Sequence, residues 1–491
     1  MPVLDKKYDT LALHDDYLAD PLLMALAWKK AHEYIRTTNW YADNFELDTS
    51  SIDLANRCSD WTKELQDGLT FTPLELVPAP KSHPWKFEKP DDPMQVAEFK
   101  LLWQPESQPG SDDQDEGPLK LRPLAHIGIR EQTIMTLVMM CLSNEVETMQ
   151  GDPSTEYEEV HAKEIVSYGN RLYCQYEDGK ADHNYGATTI YSKYFTDYRK
   201  FLERPYYFAR KELEEKSDEE EVYLLELDLS QFFDRIERPL LVKKIEALAH
   251  RQGTSEKHVM VVVKNVLEAF RSWNWSEAAG KTFKQKCSSE AIPEAPLGLP
   301  QGLVASGFLA NIYMSDFDDL MKGLIGQIIN DNYDIRLVDY CRYVDDMRFV
   351  LVGPNRQILE ERLSEASQPQ TESHLDTITD SLFDVVNPAL RELSLEANPK
   401  KTKIEPFRGK SVGISKTLED IQKNVSGPVS YDDAEIHLGQ LESLLALSKT
   451  NEADQSDGAG YFNRLAAIEK DMFDVREDTL KRFAACVFRR T

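Results

Sequence analysis

The sequence predicts a mixed fold of the α+β class, and three patterns carry this prediction. The apolar segment Val222–Leu229 has the composition of a half-buried strand. β-branched and aromatic residues fill positions 335–352, which predicts two strands joined tightly near Asp345. Long apolar patterns at helical spacing, such as those ending at Leu142 and Leu320, predict helices before and between these strands. Helices and strands therefore alternate irregularly, as in an α+β protein.

Composition indicates a globular chain with a strongly acidic charge. The 491 residues are 41% hydrophobic, which is enough for a sizeable core. Lys and Arg number 57 against 85 Asp and Glu, giving a formal net charge of −28. Such acidity opposes association with a polyanion. A nucleic-acid binder of this composition would need a locally basic groove, a partner that supplies positive charge, or a product that leaves the cleft quickly.

The sequence predicts a cytoplasmic protein that does not associate with a membrane. Its first residues lack the apolar region of a signal peptide. The longest apolar stretch, 134–142, is about half of the ~20 residues that a membrane-spanning helix needs. The 6 cysteines are dispersed and form no Cys-x-x-Cys pair, which is typical of reduced thiols and argues against a zinc site.

Four short motifs occur in order, and together they predict one polar site. They are Asp228 with Phe233 five positions later, Leu299-Pro300-Gln301-Gly302, Tyr343-Val344-Asp345-Asp346, and Asn398-Pro399-Lys400-Lys401-Thr402. An acid at the end of an apolar strand is costly unless it is paired or bound to a metal. A strand end and a neighbouring hairpin turn meet at one sheet edge, so Asp228 is predicted to lie close to Asp345 and Asp346.

Three converging carboxylates predict a site for divalent cations. Without a cation these groups would repel one another, and magnesium prefers such hard oxygen ligands. Phosphoryl transfer to a 3′ hydroxyl uses two divalent ions about 3.5–4 Å apart. We therefore predict two Mg²⁺ ions, with Mn²⁺ as an alternative, and the backbone carbonyl of Leu229 as a further ligand. By contrast, we interpret Asp316, Asp318 and Asp319 as a solvated helix face.

These motifs resemble those of reverse transcriptases. The segment Arg342–Asp346 looks like their Tyr-x-Asp-Asp box, 299–302 resembles their Pro-Gln-Gly box, and 228–233 resembles their first carboxylate motif. Two further segments, 120–124 and 129–132, look like their fingers motif. The segment Ser167–Leu172 is similar to one in group II intron-like and abortive-infection enzymes. The resemblance covers roughly residues 118–410 and favours the bacterial defence-associated members, of the abortive-infection and unknown-group types.

This resemblance implies a right-hand polymerase fold with fingers, a ferredoxin-like palm and a helical thumb. The expected boundaries are residues 1–117 for an N-terminal helical region and the start of the fingers, 118–220 for the fingers, 221–409 for the palm, and 410–491 for a thumb-like region. The last region is acidic over 432–457, which suggests an assembly surface as an alternative to duplex binding.

The resemblance also implies roles for side chains beyond the three aspartates. Phe233 corresponds to the steric gate that excludes a ribose 2′ hydroxyl. Arg122 corresponds to the arginine that holds the incoming triphosphate, with Lys120 and Arg130 as helpers.

Two further motifs supply the remaining roles. Gln301 and Gly302 correspond to the loop beside the nucleotide. Lys401, with Lys400 and Lys403 nearby, corresponds to the residue that protonates the leaving pyrophosphate.

The expected function is RNA-directed DNA synthesis in antiphage defence. The substrates would be deoxynucleoside triphosphates, the template or scaffold would be an RNA such as a non-coding RNA, and a protein partner or a second copy of the chain would assemble with it. Template-independent or protein-primed DNA synthesis by the same site is the first alternative. A non-enzymatic scaffold that binds RNA or protein is a further one. An RNA-dependent RNA polymerase is opposed by Phe233 and the Pro-Gln-Gly box.

Overall fold

A computed structural model describes the fold over most of the chain. It covers residues 8, 10–38, 43–80, 85–88, 102–105, 121–252, 260–288, 293–365, 373–399 and 401–409. Lys120, Lys400 and the thumb-like region 410–491 lie outside the described residues.

Helices and strands are both abundant in these residues, so the predicted α+β class is confirmed. The helices are α1 (Asp15–Leu18), α2 (Pro21–Thr38), α3 (Asn44–Thr49), α4 (Leu54–Asp67), α5 (Ile129–Gln150), α6 (Tyr194–Glu215), α7 (Phe232–Arg235), α8 (Arg238–Arg251), α9 (Val261–Arg271), α10 (Glu277–Lys286), α11 (Ser306–Leu324), α12 (Arg356–Glu365) and α13 (His374–Glu392). The strands are β1 (Glu75–Pro80), β2 (Trp85–Glu88), β3 (Leu102–Pro105), β4 (Leu121–His126), β5 (Cys174–Glu177), β6 (Lys180–His183), β7 (Glu220–Asp228), β8 (Ile328–Asn330), β9 (Ile335–Tyr343), β10 (Asp346–Pro354) and β11 (Lys403–Pro406).

A five-stranded antiparallel sheet forms the centre, in the order β11-β7-β10-β9-β8. The strand predicted at 222–229 is β7, and the two predicted at 335–352 are β9 and β10. Successive side chains of a strand point to opposite faces, and here both faces are covered. The apolar runs of these strands follow from that double burial.

One face of the sheet packs against α6. Val222, Leu224 and Val350 join Phe201 and Phe208 of that helix in one buried cluster. Alternation along β7 and β10 continues this face through Glu226 and Arg348 to Asp228 and Asp346 at the strand ends. The helix thus covers the sheet up to the acidic edge.

The opposite face packs against the larger core. Tyr223, Leu225 and Phe349 lie there with Phe308 and Tyr313 of α11. The same core extends into the N-terminal helices, where α2 packs on α5. No helix in the described part of the chain is both long and apolar enough to cross a lipid bilayer.

Candidate active site

The Asp-Asp motif lies in a two-residue turn between β9 and β10. Tyr343 pairs with Asp346 across the hairpin, so Val344 and Asp345 form the turn. Val344 has φ of 59°, which tight hairpin turns require but a β-branched residue rarely adopts. Such a conformation costs about 1–3 kcal/mol and persists only where the surroundings impose it.

The predicted partner of this turn, Asp228, lies beside it. Asp228 ends β7 and pairs directly with Asp346 of β10, so both side chains point to the same face. Asp345 directly precedes Asp346 and therefore also lies beside the end of β7. Burial raises the pKa of the Asp345 carboxyl, and the negative charge of Asp228 raises it further. The structure therefore brings the three predicted carboxylates to one sheet edge.

Lys401 also lies at this edge. Its Nζ is 2.8 Å from Oδ2 of Asp228. The chain before it is bound to the end of β7, since Asn398 N donates to Asp228 O at 2.8 Å and Ser230 N donates to Glu396 O at 2.8 Å. These bonds flank Leu229, which forms an isolated bridge with Ala397. Lys401 and the Leu229 backbone thus belong to the same structural unit as Asp228.

The Pro-Gln-Gly loop connects the carboxylates to the predicted fingers. Ala125 N of β4 donates to Gln301 O at 2.7 Å, and Gln132 Nε2 of α5 donates to Gly302 O at 2.7 Å. Gln301 Nε2 donates to Asp234 Oδ1 at 3.2 Å, which joins the loop to α7. Gly302 has φ of 132°, a conformation that favours glycine.

Phe233 is bound to this loop, and Arg122 lies on β4, the strand that donates to Gln301. Phe232 is buried whereas Phe233 is half-buried, as expected if Phe233 faces the site. Phe233 O accepts a hydrogen bond from Leu299 N at 2.8 Å. Arg122 is exposed on β4, and its positive charge lowers the pKa of Asp345, against the larger effect of burial. Arg122 is thus an exposed cation whose charge acts on Asp345 less than burial does.

One predicted helper has a different environment. Arg130 donates to Glu64 Oε2 at 2.7 Å and to Glu131 Oε1 at 2.6 Å, and its Nη2 bonds Thr70 O at 3.1 Å. These contacts tie α5 to α4 and the following loop. Arg130 is thus part of the packing between helices, and the structure gives no support for a contact with nucleotide.

The interpretation of Asp318 as solvated is wrong. Asp318 is 4% exposed and binds the guanidinium of Arg342 through both carboxylate oxygens, with contacts of 2.7–3.0 Å. Tyr340 Oη donates to the same carboxylate at 3.1 Å. Asp316 and Asp319 have side chains 74% and 64% exposed, as expected. Asp318 differs because Arg342 is buried on the strand that faces it.

Arg342 supports the back of the Asp345 turn, a role that the motifs do not predict. Its Nη1 donates to Asn311 Oδ1 at 3.0 Å and to Val344 O at 3.4 Å. The signal was present in the sequence, because a charged residue within the central strand Ile335–Tyr343 requires a buried partner.

The segment Ser167–Asn170 forms a second support for the turn. Tyr168 N donates to Arg342 O at 3.0 Å, and Asn311 Nδ2 donates to Gly169 O at 2.9 Å. A Cβ on Gly169 would lie 2.4 Å from Val344 N. Only glycine fits there, so this segment fixes the turn through its backbone.

The donor set suits a hard divalent cation. The side chains at the edge offer carboxylate oxygens, which magnesium prefers. Within the described residues no three His, Cys, Asp or Glu side chains already form a metal-binding cluster, and Lys401 occupies one oxygen of Asp228. The carboxylate oxygens thus suit such a cation. For that oxygen of Asp228 to bind the cation, Lys401 would have to move away from it.

Comparison with known proteins agrees with this geometry. Residues 193–415 match the family model for reverse transcriptase (RNA-dependent DNA polymerase). This stretch is therefore similar to reverse transcriptases. It contains Asp228, Phe233, the Pro-Gln-Gly loop, both acids of the turn and Lys401, whereas Arg122 and the segment 167–170 precede it.

A curated protein is also similar to part of this chain. The Retron Ec83 reverse transcriptase of Escherichia coli is 33% identical over 134 residues, which make up 27% of this chain and 34% of that protein. The match therefore spans about a third of the relative's length.

Proposed function

We propose that this protein is a reverse transcriptase-type DNA polymerase that adds deoxynucleotides at Asp228, Asp345 and Asp346. The observation that carries the proposal is the pairing of Asp228 with Asp346 beside the Asp345 turn, inside the stretch that matches the reverse transcriptase family model. Two Mg²⁺ ions held by these carboxylates and by the Leu229 carbonyl would activate the 3′ hydroxyl and stabilise the charge on the phosphates.

Residues of the chain supply the remaining chemistry. Arg122 binds the triphosphate, because an exposed guanidinium forms bidentate hydrogen bonds with phosphate. Gln301 and Gly302 line the nucleotide position, and Phe233 selects against a 2′ hydroxyl. Lys401, once it leaves Asp228, donates a proton to the departing pyrophosphate. Lys120 assists Arg122.

We also propose a biological setting. The name of the retron relative suggests antiphage defence, and we propose that the protein acts in the cytoplasm with an RNA as template or scaffold. The assignment of 118–220 to fingers, 221–409 to palm and 410–491 to a thumb or assembly surface belongs to this proposal. So does a protein partner or second copy that offsets the charge of −28.

To test the proposal, the full-length protein is purified together with its bound nucleic acid. Four deoxynucleotides and Mg²⁺ are then added. We expect incorporation that disappears in Asp345→Ala plus Asp346→Ala. Glu360→Gln plus Glu361→Gln, on the exposed face of α12, is the matched control and should keep full activity. Absence of incorporation by the unaltered protein on any RNA or DNA template would refute the proposal.

The product identifies the mode of synthesis. Sequencing both the bound nucleic acid and the new DNA separates copying from template-independent synthesis, which yields random or homopolymeric DNA. DNA attached covalently to the protein would identify protein priming. Phage protection that persists in the double aspartate variant would favour a non-enzymatic scaffold.

A further inference from the structure

Arg348 lies next to the carboxylates and has no part in the proposed chemistry. It follows Asp346 by two positions on β10, so both side chains point to the same face. Across the sheet it is paired with Glu226 of β7. Its Nη1 donates to Glu226 Oε1 at 2.5 Å, and its Nη2 lies 3.9 Å from Asp346 Oδ2. One guanidinium thus faces two acids.

The surroundings hold this guanidinium in one place. Its side chain is 11% exposed, and its central carbon lies 5.4 Å from the centre of the Phe201 ring of α6. Nε is buried and has no hydrogen-bond partner in the part of the chain that the structure describes. The position is therefore set by the two acids and by the ring, through charge and cation–π contact.

The charge of Arg348 acts on Asp346 and Glu226. Burial alone would lower the pKa of Arg348, but the negative charges of these two acids outweigh burial and raise it. Among the described residues, Lys401 forms an ion pair with Asp228, and Arg348 lies within ion-pair distance of Asp346. The Lys401 side chain is 57% exposed, whereas that of Arg348 is enclosed.

We propose that Arg348 is a positioning residue for Asp346. Glu226 holds the planar guanidinium of Arg348, which keeps the Asp346 carboxylate in one orientation. The positive charge of Arg348 also offsets part of the negative charge of Asp346, and this sets how tightly the acidic edge binds a divalent cation. This inference rests on the proposed function, because it assigns Asp346 to cation binding. A lysine would keep the charge but could not span both acids with one ammonium group.

The alternative is an ion pair that only neutralises Glu226 under α6. Arg336 provides a matched control for it. Arg336 lies on β9 of the same sheet and donates to Glu212 Oε2 of α6 at 2.7 Å, far from the acidic turn along the strand. An ion pair with a purely structural role should respond to substitution as Arg336 does.

The experiment compares Arg348→Lys, Arg348→Gln and Arg336→Lys in the full-length protein. Nucleotide incorporation gives kcat and the Mg²⁺ concentration for half-maximal rate, and electron paramagnetic resonance gives Mn²⁺ affinity without nucleotide. We expect Arg348→Lys to lower kcat by about tenfold with little change in Mn²⁺ affinity, as for loss of an orienting partner. Arg348→Gln should bind Mn²⁺ more tightly, since Asp346 loses the opposing positive charge. It should still incorporate nucleotides slowly, since Asp346 also loses its fixed orientation. Arg336→Lys should match the unaltered protein.

Three results would overturn the inference. They are an unaltered kcat in Arg348→Lys, an unchanged or weaker Mn²⁺ affinity in Arg348→Gln, and equal losses in Arg348→Lys and Arg336→Lys. If the unaltered protein incorporates no nucleotide, the proposed function fails, but the Mn²⁺ affinities still test whether Arg348 acts on Asp346.

Discussion

Buried cations behind the Asp345 turn differ from other buried cations in their partners. Along β9 and the segment 165–171, which back the turn, three buried arginines each face a carboxylate. The pairs are Arg342–Asp318, Arg171–Glu147 and Arg204–Asp339. Burial alone would lower the pKa of these arginines, but the paired acids outweigh burial and raise it. These groups remain charged and bound at fixed geometry.

Away from the turn, buried cations are held by backbone carbonyls. Lys30 of α2 donates to the carbonyls of Asn184 and Thr189 at 2.9 and 3.2 Å. Arg238 of α8 donates to those of Leu297, Phe270 and Trp273. Among the described residues neither has an acidic partner, and burial lowers the pKa of Lys30 to about 8 and that of Arg238 to about 10.

The difference indicates where side chains must be held in a fixed orientation. A bidentate carboxylate fixes the plane of a guanidinium, but a buried ion pair often adds no net stability over apolar residues. We infer that these pairs fix the surroundings of the turn, and that Arg342 holds the Val344 conformation directly through its bond to Val344 O.

The largest effect is expected for Arg342→Met. It leaves the Asp318 carboxylate buried without its counter-charge, which typically costs about 3–5 kcal/mol. The free energy of unfolding from denaturant titration measures this loss, and nucleotide incorporation should disappear with it.

Asp318→Asn added to Arg342→Met is the control. It removes the unpaired charge and keeps an acceptor for Tyr340, so it should recover about 1–3 kcal/mol through the coupling of the two sites. Activity should stay low, because the contact with Val344 O is still missing. A double variant as unstable as the single one would contradict the ion-pair explanation.

A smaller effect on stability is expected for Gly169→Ala. The added Cβ would lie 2.4 Å from Val344 N and 2.9 Å from Tyr343 C, and such overpacking costs about 1–3 kcal/mol. Because the backbone that must move carries Asp345, incorporation should fall about 100-fold. Gly280→Ala in α10 is the matched control, since nothing lies within 4 Å of its added Cβ. Equal activities of the two variants would show that the segment 167–170 does not position the turn.

Arg238→Met should cost less than the same change at Arg342. It removes hydrogen bonds to three carbonyls but leaves no buried charge, so we expect a loss of about 2 kcal/mol with incorporation retained in the folded fraction. Denaturant titration of the two Arg→Met variants side by side measures the difference. A larger loss at Arg238 would reverse the comparison on which this ranking depends.

Local patterns in the sequence were sufficient to predict the strands and the acidic edge. Alternation and apolar runs locate β7, β9 and β10, and the motifs place Asp228, Asp345 and Asp346 at their ends. The Arg342–Asp318 pair was missed because its members are 24 residues apart and their pairing depends on how α11 packs on β9. From the sequence alone, a charged residue in a helix is predicted to be exposed to solvent. Only the packing of that helix shows that it is buried. The role of Gly169 was missed for the same reason, since its close approach to Val344 is a tertiary contact.

The smallest effect is expected for Lys30→Met near neutral pH. The substitution removes the cost of a buried charge, but it also removes the hydrogen bonds that Lys30 donates to two carbonyls. These two contributions to the free energy of unfolding offset one another to within about 1 kcal/mol. Incorporation should be unaltered, because Lys30 contacts the loop 184–189 and not the acidic edge.

The pH dependence of stability distinguishes Lys30 from the paired arginines. Its pKa is about 8 in the folded protein against an ordinary value of 10.5. Between these two values the unfolded chain retains a proton that the folded chain has lost, so the free energy of unfolding rises with pH across this window. Below about pH 8 both states are protonated and the contribution is constant. Denaturant titrations at pH 7, 8, 9 and 10 should therefore show the unaltered protein gaining stability relative to Lys30→Met. Parallel curves would mean that the Lys30 ammonium is solvated, and the contrast between carboxylate-paired and carbonyl-held cations would then rest on Arg238 alone.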